Sequence, residues 1–388
     1  MSTMIRNLKY TIEPLYNKIR DLSVSLFRYL FIKKNKIVFV QSNGGGYKCN
    51  LKYIAEEISR QKQPYDLVWL VEYWNIKIPS FIRRVKFNRI KAIYELSTAH
   101  VIITNSKSLL PFKKKLLQKL IYIPHGQPGM KCAEGDALLP PEYVENSKRH
   151  SAMTDVFVSM GTYHTQVLRD TFWVPKQAEI WECGFPRNDQ YYIDTIEKQK
   201  AIRKQLHIPE DTNIAFYAPT FRDNNNTSAY DLDMNRLLDT LEEKTGYKWI
   251  FFVTLHPNFK WFKHPTYHFS NRIWDMSDYT DIHELMLIAD IAITDYSSTG
   301  LDFANTRRPV FLYASDIDEY SKMRGLKNMY FKLPFTLCRT NDEINKAIRE
   351  FNAIEYSNKL DIFQREYGSY DDGHASERFV KMLKNIMA

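Results

Sequence analysis

The sequence predicts an α/β protein made of two Rossmann-like halves. Short β-branched runs alternate with helical segments along most of the chain, which is typical of a parallel sheet covered by helices on both faces. At 388 residues the chain also exceeds the roughly 250 residues at which a single core stops growing. The turn-rich stretch GFPRND (184–189) interrupts the alternation, so we expect two sheets with a boundary there.

The strand-like runs form two series. The first contains a helix near 48–62 and the runs KIVFVQ (36–41), DLVWLV (66–71), RRVKF (83–87), HVIITN (100–105), LIYIPH (120–125) and DVFVSM (155–160). The second contains helices near 194–206, 232–245 and 282–289 and the runs NIAFYAP (213–219), KWIFFVTLHP (248–257), DIAIT (290–294) and PVFLY (309–313). We therefore expect an N-terminal domain over 36–190, a C-terminal domain over 191–373, and a helix over 374–388 that packs back on the first domain.

Residues 1–35 have the pattern of a basic amphipathic helix. Apolar residues recur every three or four positions with Arg and Lys between them, at Ile5, Leu8, Ile12, Leu15, Ile19, Leu22, Leu26 and Tyr29. Such a helix lies on an anionic membrane surface or packs its stripe on protein, and both interpretations stay open. The chain has no charge-free run of about 18 apolar residues and this segment has no small-residue cleavage site. We therefore expect a cytoplasmic protein.

The net charge and the cysteine spacing indicate which partners and sites to expect. A formal net charge of +9 favours an anionic partner such as a nucleotide, a membrane or a charged polymer. No nucleic-acid-binding module is recognisable, so nucleic acid is not an expected partner. A basic, non-enzymatic binder of nucleic acid or anionic lipid stays as an alternative class. The cysteines are far apart and form no CxxC pair, which argues against a zinc site and a disulfide framework: Cys49, Cys132, Cys183 and Cys338.

The stretch DIAITDYSSTGLDFA (290–304) passes directly from a buried strand into a helix through small polar residues. Ser297, Ser298 and Thr299 fall at the first helical positions, where free backbone N–H groups attract a phosphate. The alternative is that one serine simply caps the helix. Asp295 and Asp302 are interpreted as structural.

Two histidines follow strands of opposite halves. His125 in IYIPHGQPGMK ends a strand of the first half, and His256 in LHPNF ends a strand of the second. Ligands of open α/β sheets bind beyond the carboxyl ends of the strands. A lone histidine is more often structural, but a matched pair facing across a cleft predicts catalysis.

Two further segments extend the predicted site. Thr220, Arg222 and Asp223 in YAPTFRDN follow a third strand, and the planar fork of Arg222 suits phosphate oxygens. A local Arg–Asp surface pair is the alternative. Glycines after the first strand and next to the first histidine are assigned to the acceptor side of the cleft, although they lack the GxGxxG spacing: Gly44, Gly45, Gly46 and Gly126.

In combination, these motifs resemble a known family. YAPTFRDN (217–224), LHPN (255–258), the block 281–313 around Asp-Tyr-Ser-Ser, GFPRND (184–189) and DDGHASER (371–378) are similar to the CDP-glycerol glycerophosphotransferases of teichoic acid and capsule synthesis. The resemblance covers roughly residues 36–380, and the Asp-Tyr-Ser-Ser block is its most specific part.

The resemblance implies a GT-B fold whose C-terminal domain holds most of the nucleotide. It also implies transfer of glycerol phosphate or ribitol phosphate from a CDP-activated donor to a hydroxyl of a lipid-linked or polymeric acceptor, with release of CMP. His125 and His256 would be active-site residues. Arg222 and the Ser297–Thr299 segment would surround the donor pyrophosphate. Family members work at the cytoplasmic face of the membrane, which implies a peripheral membrane enzyme.

The residues suit this chemistry. We predict that His125 is the base for the acceptor hydroxyl, while His256, Arg222 and the helix start stabilise charge on the phosphoryl oxygens. No carboxylate cluster has metal-ligand spacing, so we expect neither a metal nor another cofactor. Pro124, Gln127 and Phe221 depart from the usual family motif. Priming, polymer extension and the choice of polyol stay open, as does a GT-B glycosyltransferase that uses a nucleotide sugar.

Overall fold

The computed structural model describes residue 19 and residues 22–42, 45–87, 90–107, 112–136, 139–222, 227–256 and 267–388. Most of the predicted N-terminal helix lies outside these residues, as do Gly44 and Asp223; residues 22–27 are helical. The part of the chain that is described contains no helix long and apolar enough to cross a membrane.

In the described residues, thirteen strands form two parallel sheets. The first sheet contains β1 (Lys33–Val40), β2 (Asp66–Val71), β3 (Arg83–Lys86), β4 (Ala99–Thr104), β5 (Lys119–Tyr122), β6 (Val156–Ser159) and β7 (Glu179–Glu182), in the order β3-β2-β1-β4-β5-β6-β7. The second contains β8 (Thr212–Ala218), β9 (Lys248–Val253), β10 (Ile273–Asp275), β11 (Ile291–Thr294), β12 (Val310–Tyr313) and β13 (Thr336–Cys338), in the order β10-β9-β8-β11-β12-β13. The predicted α/β class with two Rossmann-like halves of the GT-B type is confirmed.

Helices cover both faces of the sheets. They are α1 (Cys49–Arg60), α2 (Ile90–Thr98), α3 (Pro141–Met153), α4 (Thr162–Thr171), α5 (Ile196–Gln205), α6 (Met234–Thr245), α7 (Ile282–Ile288), α8 (Thr299–Ala304), α9 (Ile317–Arg324), α10 (Asn341–Arg349), α11 (Ala353–Tyr367) and α12 (Ala375–Met387). Side-chain caps fix several starts, as where Asn352 accepts from the N–H groups of Ile354 and Glu355. Glycine in the left-handed region ends α6 at Gly246 and α11 at Gly368.

Each sheet has a switch point where the strand order reverses direction. In the first sheet this point lies between β1 and β4, with Val40 paired to Thr104. In the second it lies between β8 and β11, with Ala218 paired to Thr294. Crevices at the carboxyl ends of strands beside a switch point are the usual ligand sites of such sheets. The fold therefore offers one crevice in each lobe.

Buried and half-buried charges join the two lobes. Arg187, between the sheets in the 3₁₀ turn Pro186–Tyr191, pairs with Asp302 of α8 at 2.8 Å. On α1, Lys52 pairs with Asp281 at 3.0 Å and with Glu284 at 2.7 Å, and both acids flank the start of α7. These contacts fix the orientation of one lobe against the other. The predicted boundary after residue 190 falls in the connection between β7 and β8.

The last helix lies against the first lobe. The ring of Phe379 on α12 packs edge-on against Trp181 of β7, with 5.5 Å between the centroids. Glu377 of the same helix pairs with Arg60 at the end of α1. The chain therefore returns from the second lobe to the first, and this crossing adds apolar contacts to the junction.

Candidate active site

The structure brings the two predicted histidines together. His125 follows β5 and His256 follows β9, and both residues are exposed to solvent. A positive charge on His125 contributes to lowering the pKa of His256, so the two rings are close enough to interact electrostatically. The ring of Phe221 is stacked near His256, at 6.2 Å between centroids. The catalytic role of the pair stays a prediction.

Both histidines are weak bases in this setting. Desolvation by the surrounding protein, together with the charges of Arg187 and Lys131, lowers the pKa of His125 to about 4, against a hydrogen bond to the backbone of Asn105. The pKa of His256 is also about 4, because of lost hydration and then the charges of Lys131, His125 and Lys48. Both rings are therefore neutral at pH 7, and His125 is able to accept a proton.

The loop that carries His125 is tied to the second lobe. Arg187 donates from Nη1 to the carbonyl oxygen of His125 at 2.5 Å and pairs through Nη2 with Asp302. Gln127 donates from Nε2 to Asp302 at 2.5 Å. A Cβ added at Gly126 would lie 3.2 Å from Oγ of Ser298. The loop is thereby held directly against the start of α8.

The polar segment before α8 is arranged partly as predicted. The hydroxyls of Ser297 and Thr299 lie 2.8 Å apart, and the Thr299 N–H donates to Oγ of Ser297 at 3.3 Å. Ser298 makes no side-chain capping bond. The capping alternative thus describes Ser297, while the half-buried Ser298 faces the histidine loop. Helix α8 has six residues, so local N–H groups matter more than a macrodipole.

The predicted role of Arg222 as an open phosphate-binding fork is wrong. Its side chain is 1% exposed, and its guanidinium pairs with Asp316 at 2.7 Å and with Asp295 at 2.9 Å. Nη1 donates to the Thr220 carbonyl. With every nitrogen engaged, the guanidinium is not the open phosphate fork that the sequence suggests, and a surface pair is equally excluded by its burial. Arg222 instead links the Thr220 carbonyl to Asp295 and Asp316.

Asp295 is structural, in agreement with the sequence. Its carboxylate accepts from the Thr220 N–H at 2.9 and 3.0 Å and from the Tyr296 N–H at 2.5 Å. Because Thr220 follows β8 and Asp295 follows β11, these hydrogen bonds join the carboxyl ends of the two strands at the second switch point. The Oγ1 of Thr220 is buried and has no hydrogen-bond partner in the described structure.

The glycine loop after β1 reaches the second lobe. Gly46 has a φ of +115°, which only glycine adopts without strain, and an added Cβ would lie 3.9 Å from the methyl group of Thr280. At Gly45 an added Cβ would lie 2.8 Å from the carbonyl oxygen of Ser42. Both positions therefore require glycine. Gly44 cannot be placed against them, since it lies outside the described residues.

The comparison with protein families decides what kind of chain this is. The family described as CDP-Glycerol:Poly(glycerophosphate) glycerophosphotransferase matches residues 22–385. The chain belongs to this family. A poly(glycerol phosphate) polymerase of Staphylococcus epidermidis is 29% identical over 96% of this chain. A poly(ribitol-phosphate) polymerase of Bacillus spizizenii is 27% identical over 94% of it. The chain spans 54% and 60% of the lengths of these two relatives.

A solved structure extends the likeness to the whole fold. The wall teichoic acid polymerase TagF, with a histidine replaced by asparagine and soaked with CDPG, matches 99% of this chain and 97% of its own. The TM-score is 0.85 at 28% identity. The arrangement of the two lobes is therefore similar to that of a teichoic acid polymerase.

Sequence reasoning missed three residues of the site. Lys131 and Lys48 place positive charge near the histidines, and Arg187 holds the His125 carbonyl. Lys131 stands in the stretch IYIPHGQPGMK itself, so its charge was a visible signal. Arg187 stands in GFPRND, which its turn residues marked only as a boundary. In the described residues no group of three or more His, Cys, Asp or Glu is placed to hold a metal ion.

We expect Arg222→Ala to destabilise the fold more than it weakens donor binding. The substitution leaves Asp295 and Asp316 buried without their cation, which typically costs about 3–5 kcal/mol. Urea unfolding measures the loss. Arg236→Ala is the control, because its pair with Asp342 is 47% and 82% exposed and should cost about 0–1 kcal/mol. If Arg222→Ala has normal stability but has lost donor affinity, the original prediction that Arg222 binds phosphate oxygens is supported instead.

Proposed function

We propose that this chain transfers glycerol phosphate, or ribitol phosphate, from its CDP-activated form to a hydroxyl of a lipid-linked or polymeric acceptor, with release of CMP. The observation that carries the proposal is the pair of neutral histidines, one from each lobe, beside the polar start of α8. Membership of the family and the resemblance to a polymerase soaked with CDPG support this substrate class. Teichoic acid or capsule synthesis is the process that this reaction serves.

The donor occupies the crevice at the second switch point. The backbone N–H groups around Ser297–Thr299, their hydroxyls and the buried hydroxyl of Thr220 surround the space that the diphosphate takes. Lys131 and Lys48 add positive charge from the first lobe, as their effect on the pKa of His256 indicates. The negative charge of the donor diphosphate is therefore stabilised by groups from both lobes.

The transfer uses the two histidines differently. His125 accepts the proton of the acceptor hydroxyl as its oxygen bonds to the β-phosphorus. The bond between this phosphorus and the oxygen bridging to the α-phosphate breaks, and CMP leaves with that electron pair. His256 donates a hydrogen bond to the phosphoryl oxygens, where negative charge accumulates. The hydrogen bond between the His125 ring and the Asn105 backbone fixes the ring that receives the proton.

The chain binds the inner face of the cell membrane through an edge of the first lobe. We define the apolar edge as the exposed side chains Leu22, Leu26, Tyr29, Phe31, Leu116 and Leu117. Phe31 is 92% exposed and Leu116 is 94% exposed. Lys115 joins the two segments, since its Nζ donates to the carbonyl oxygens of Leu30 and Ser97. Basic residues flank the edge, as an anionic membrane surface requires: Arg28, Lys33, Lys34, Lys113 and Lys119.

The position of the apolar edge orients the enzyme. Lys33 and Lys119 begin β1 and β5, so the edge lies at the amino ends of strands whose carboxyl ends face the cleft. At about 3.3 Å per residue, the eight residues of β1 span on the order of 25 Å. A membrane-bound chain therefore presents its cleft away from the bilayer, which favours an acceptor that extends from its lipid.

His125→Ala and His256→Ala should each lower CMP release by roughly two orders of magnitude or more, because each removes a proton acceptor or a charge-stabilising donor. The assay is nucleotide release from CDP-glycerol, CDP-ribitol and several nucleotide sugars, with and without acceptor. His268→Ala, at an exposed site, is the control. Wild-type rates in both variants would remove the catalytic assignment, and turnover of a nucleotide sugar alone would favour a glycosyltransferase.

The kcat/KM for the donor should be nearly constant from pH 8 to pH 6 and fall below pH 5. Lowered pKa values of about 4 keep both rings neutral until the medium is strongly acidic, and protonation then removes the base. Below the pKa, the rate should fall about tenfold per pH unit. A fall centred between pH 6 and pH 7 would contradict the lowered pKa values.

Leu116→Ser combined with Leu117→Ser should reduce sedimentation with anionic vesicles about tenfold or more, because each leucine loses roughly 1.5–3 kcal/mol of burial. Transfer to a soluble acceptor should not change. Ile354→Ser is the matched control, since Ile354 on α11 is 76% exposed and lies in the other lobe. Deletion of residues 1–30 should weaken binding similarly. Undiminished sedimentation of both variants would mean that another surface binds the membrane.

A further inference from the structure

Two buried amide groups at the first switch point have atoms without hydrogen-bond partners. Oε1 of Gln41 and Nδ2 of Asn105 are enclosed and unpaired in the described structure, and the two residues are 4% and 2% exposed. Gln41 follows β1 and Asn105 follows β4. Because Val40 pairs with Thr104, the next residues are neighbours about 5 Å apart across the two strands.

The orientation of Asn105 is fixed by its other bonds. The Ser42 N–H donates to Oδ1 of Asn105 at 2.9 Å, and Oγ of Ser42 lies 3.3 Å from the same oxygen. A backbone N–H can only donate, so Oδ1 must face Ser42 and Nδ2 must point elsewhere. A buried polar atom without a partner typically costs about 1–3 kcal/mol. Two such atoms on neighbouring residues of adjacent strands mark a place where an occupant would supply the missing hydrogen bonds.

The pair adjoins the predicted base. The His125 ring makes a hydrogen bond to the backbone of Asn105, so the amides of Gln41 and Asn105 lie beside the group that receives the acceptor proton. The crevice at this switch point belongs to the lobe opposite the donor crevice. An occupant here is thus part of the acceptor.

We propose that Gln41 and Asn105 bind a hydroxyl of the terminal polyol of the acceptor, adjacent to the hydroxyl that His125 deprotonates. A hydroxyl both donates and accepts, so it satisfies Oε1 and Nδ2 together. A terminal phosphate offers only acceptors and would face Oε1 unfavourably. The pair therefore selects hydroxyl-terminated acceptors over phosphate-terminated ones. We expect the exposed side chain of Ser42 to shift as the hydroxyl enters.

This inference rests on the proposed transfer, and its test separates the two. Gln41→Met removes the acceptor atom while keeping side-chain length. Steady-state transfer from CDP-glycerol to a glycerol-terminated acceptor gives the acceptor KM, and competitive inhibition of this transfer by the phosphate-terminated form, which has no hydroxyl to accept the group, gives its Ki. The variant should raise KM for the hydroxyl-terminated acceptor about tenfold, as expected for one lost hydrogen bond. Donor KM and the pH profile should stay unchanged, and discrimination against the phosphate-terminated form should weaken.

Two further variants complete the test. Gln41→Glu keeps an oxygen acceptor and should hold the acceptor KM nearer the wild-type value, even if Gln41→Met fails to fold. Gln63→Met is the control, because Gln63 precedes β2 at the opposite end of the sheet. An unchanged acceptor KM in folded Gln41→Met, or a tenfold rise in Gln41→Glu as well, would overturn the hydroxyl assignment. Absence of any donor turnover in the wild-type chain would instead reject the proposed function.

Discussion

The ion pair between Arg187 and Asp302 is the contact on which the rest of the cleft depends. Its side chains are 1% and 5% exposed, so neither charge is tolerable without the other. Arg187 belongs to the connection between the lobes, and Asp302 lies on the helix that begins at the donor crevice. Since the same guanidinium holds the carbonyl of His125, one buried cation sets where His125 lies relative to the start of α8. The relative position of the His125 loop and α8 is therefore fixed by buried contacts.

The motifs around this pair join the lobes. Asp189 of GFPRND accepts from the N–H groups of Ala375 and Ser376, each at 2.8 Å, and so anchors the start of α12. Asp371 accepts from the N–H of Phe185 at 2.6 Å, and burial raises its pKa to about 7. GFPRND and DDGHASER thus bind each other across the junction. Their polar residues serve the junction, while the cleft is lined by the histidine loops and the start of α8.

The sequence predicted what depends on local pattern. Long apolar runs gave the central strands, and the position of His125 and His256 after strands of opposite halves was enough to bring them together. Strands β7, β10 and β13 were missed because they are short or alternate with exposed polar residues, as in Glu179–Glu182. Arg222 was misjudged because its partner Asp316 is 94 residues away, and no local pattern shows which charges a fold will bury together.

The charges around His256 connect the proposed donor binding to the protonation of its ring. Lys131, Lys48 and the neighbouring His125 all lower its pKa, so the free protein holds a neutral ring among cations. A bound diphosphate carries the opposite charge and offsets these cations, which raises the pKa of His256 again. By linkage, the same interaction makes the donor bind more tightly when the ring is protonated. In the proposed reaction, His256 is therefore neutral before the diphosphate binds and holds a proton more readily beside it.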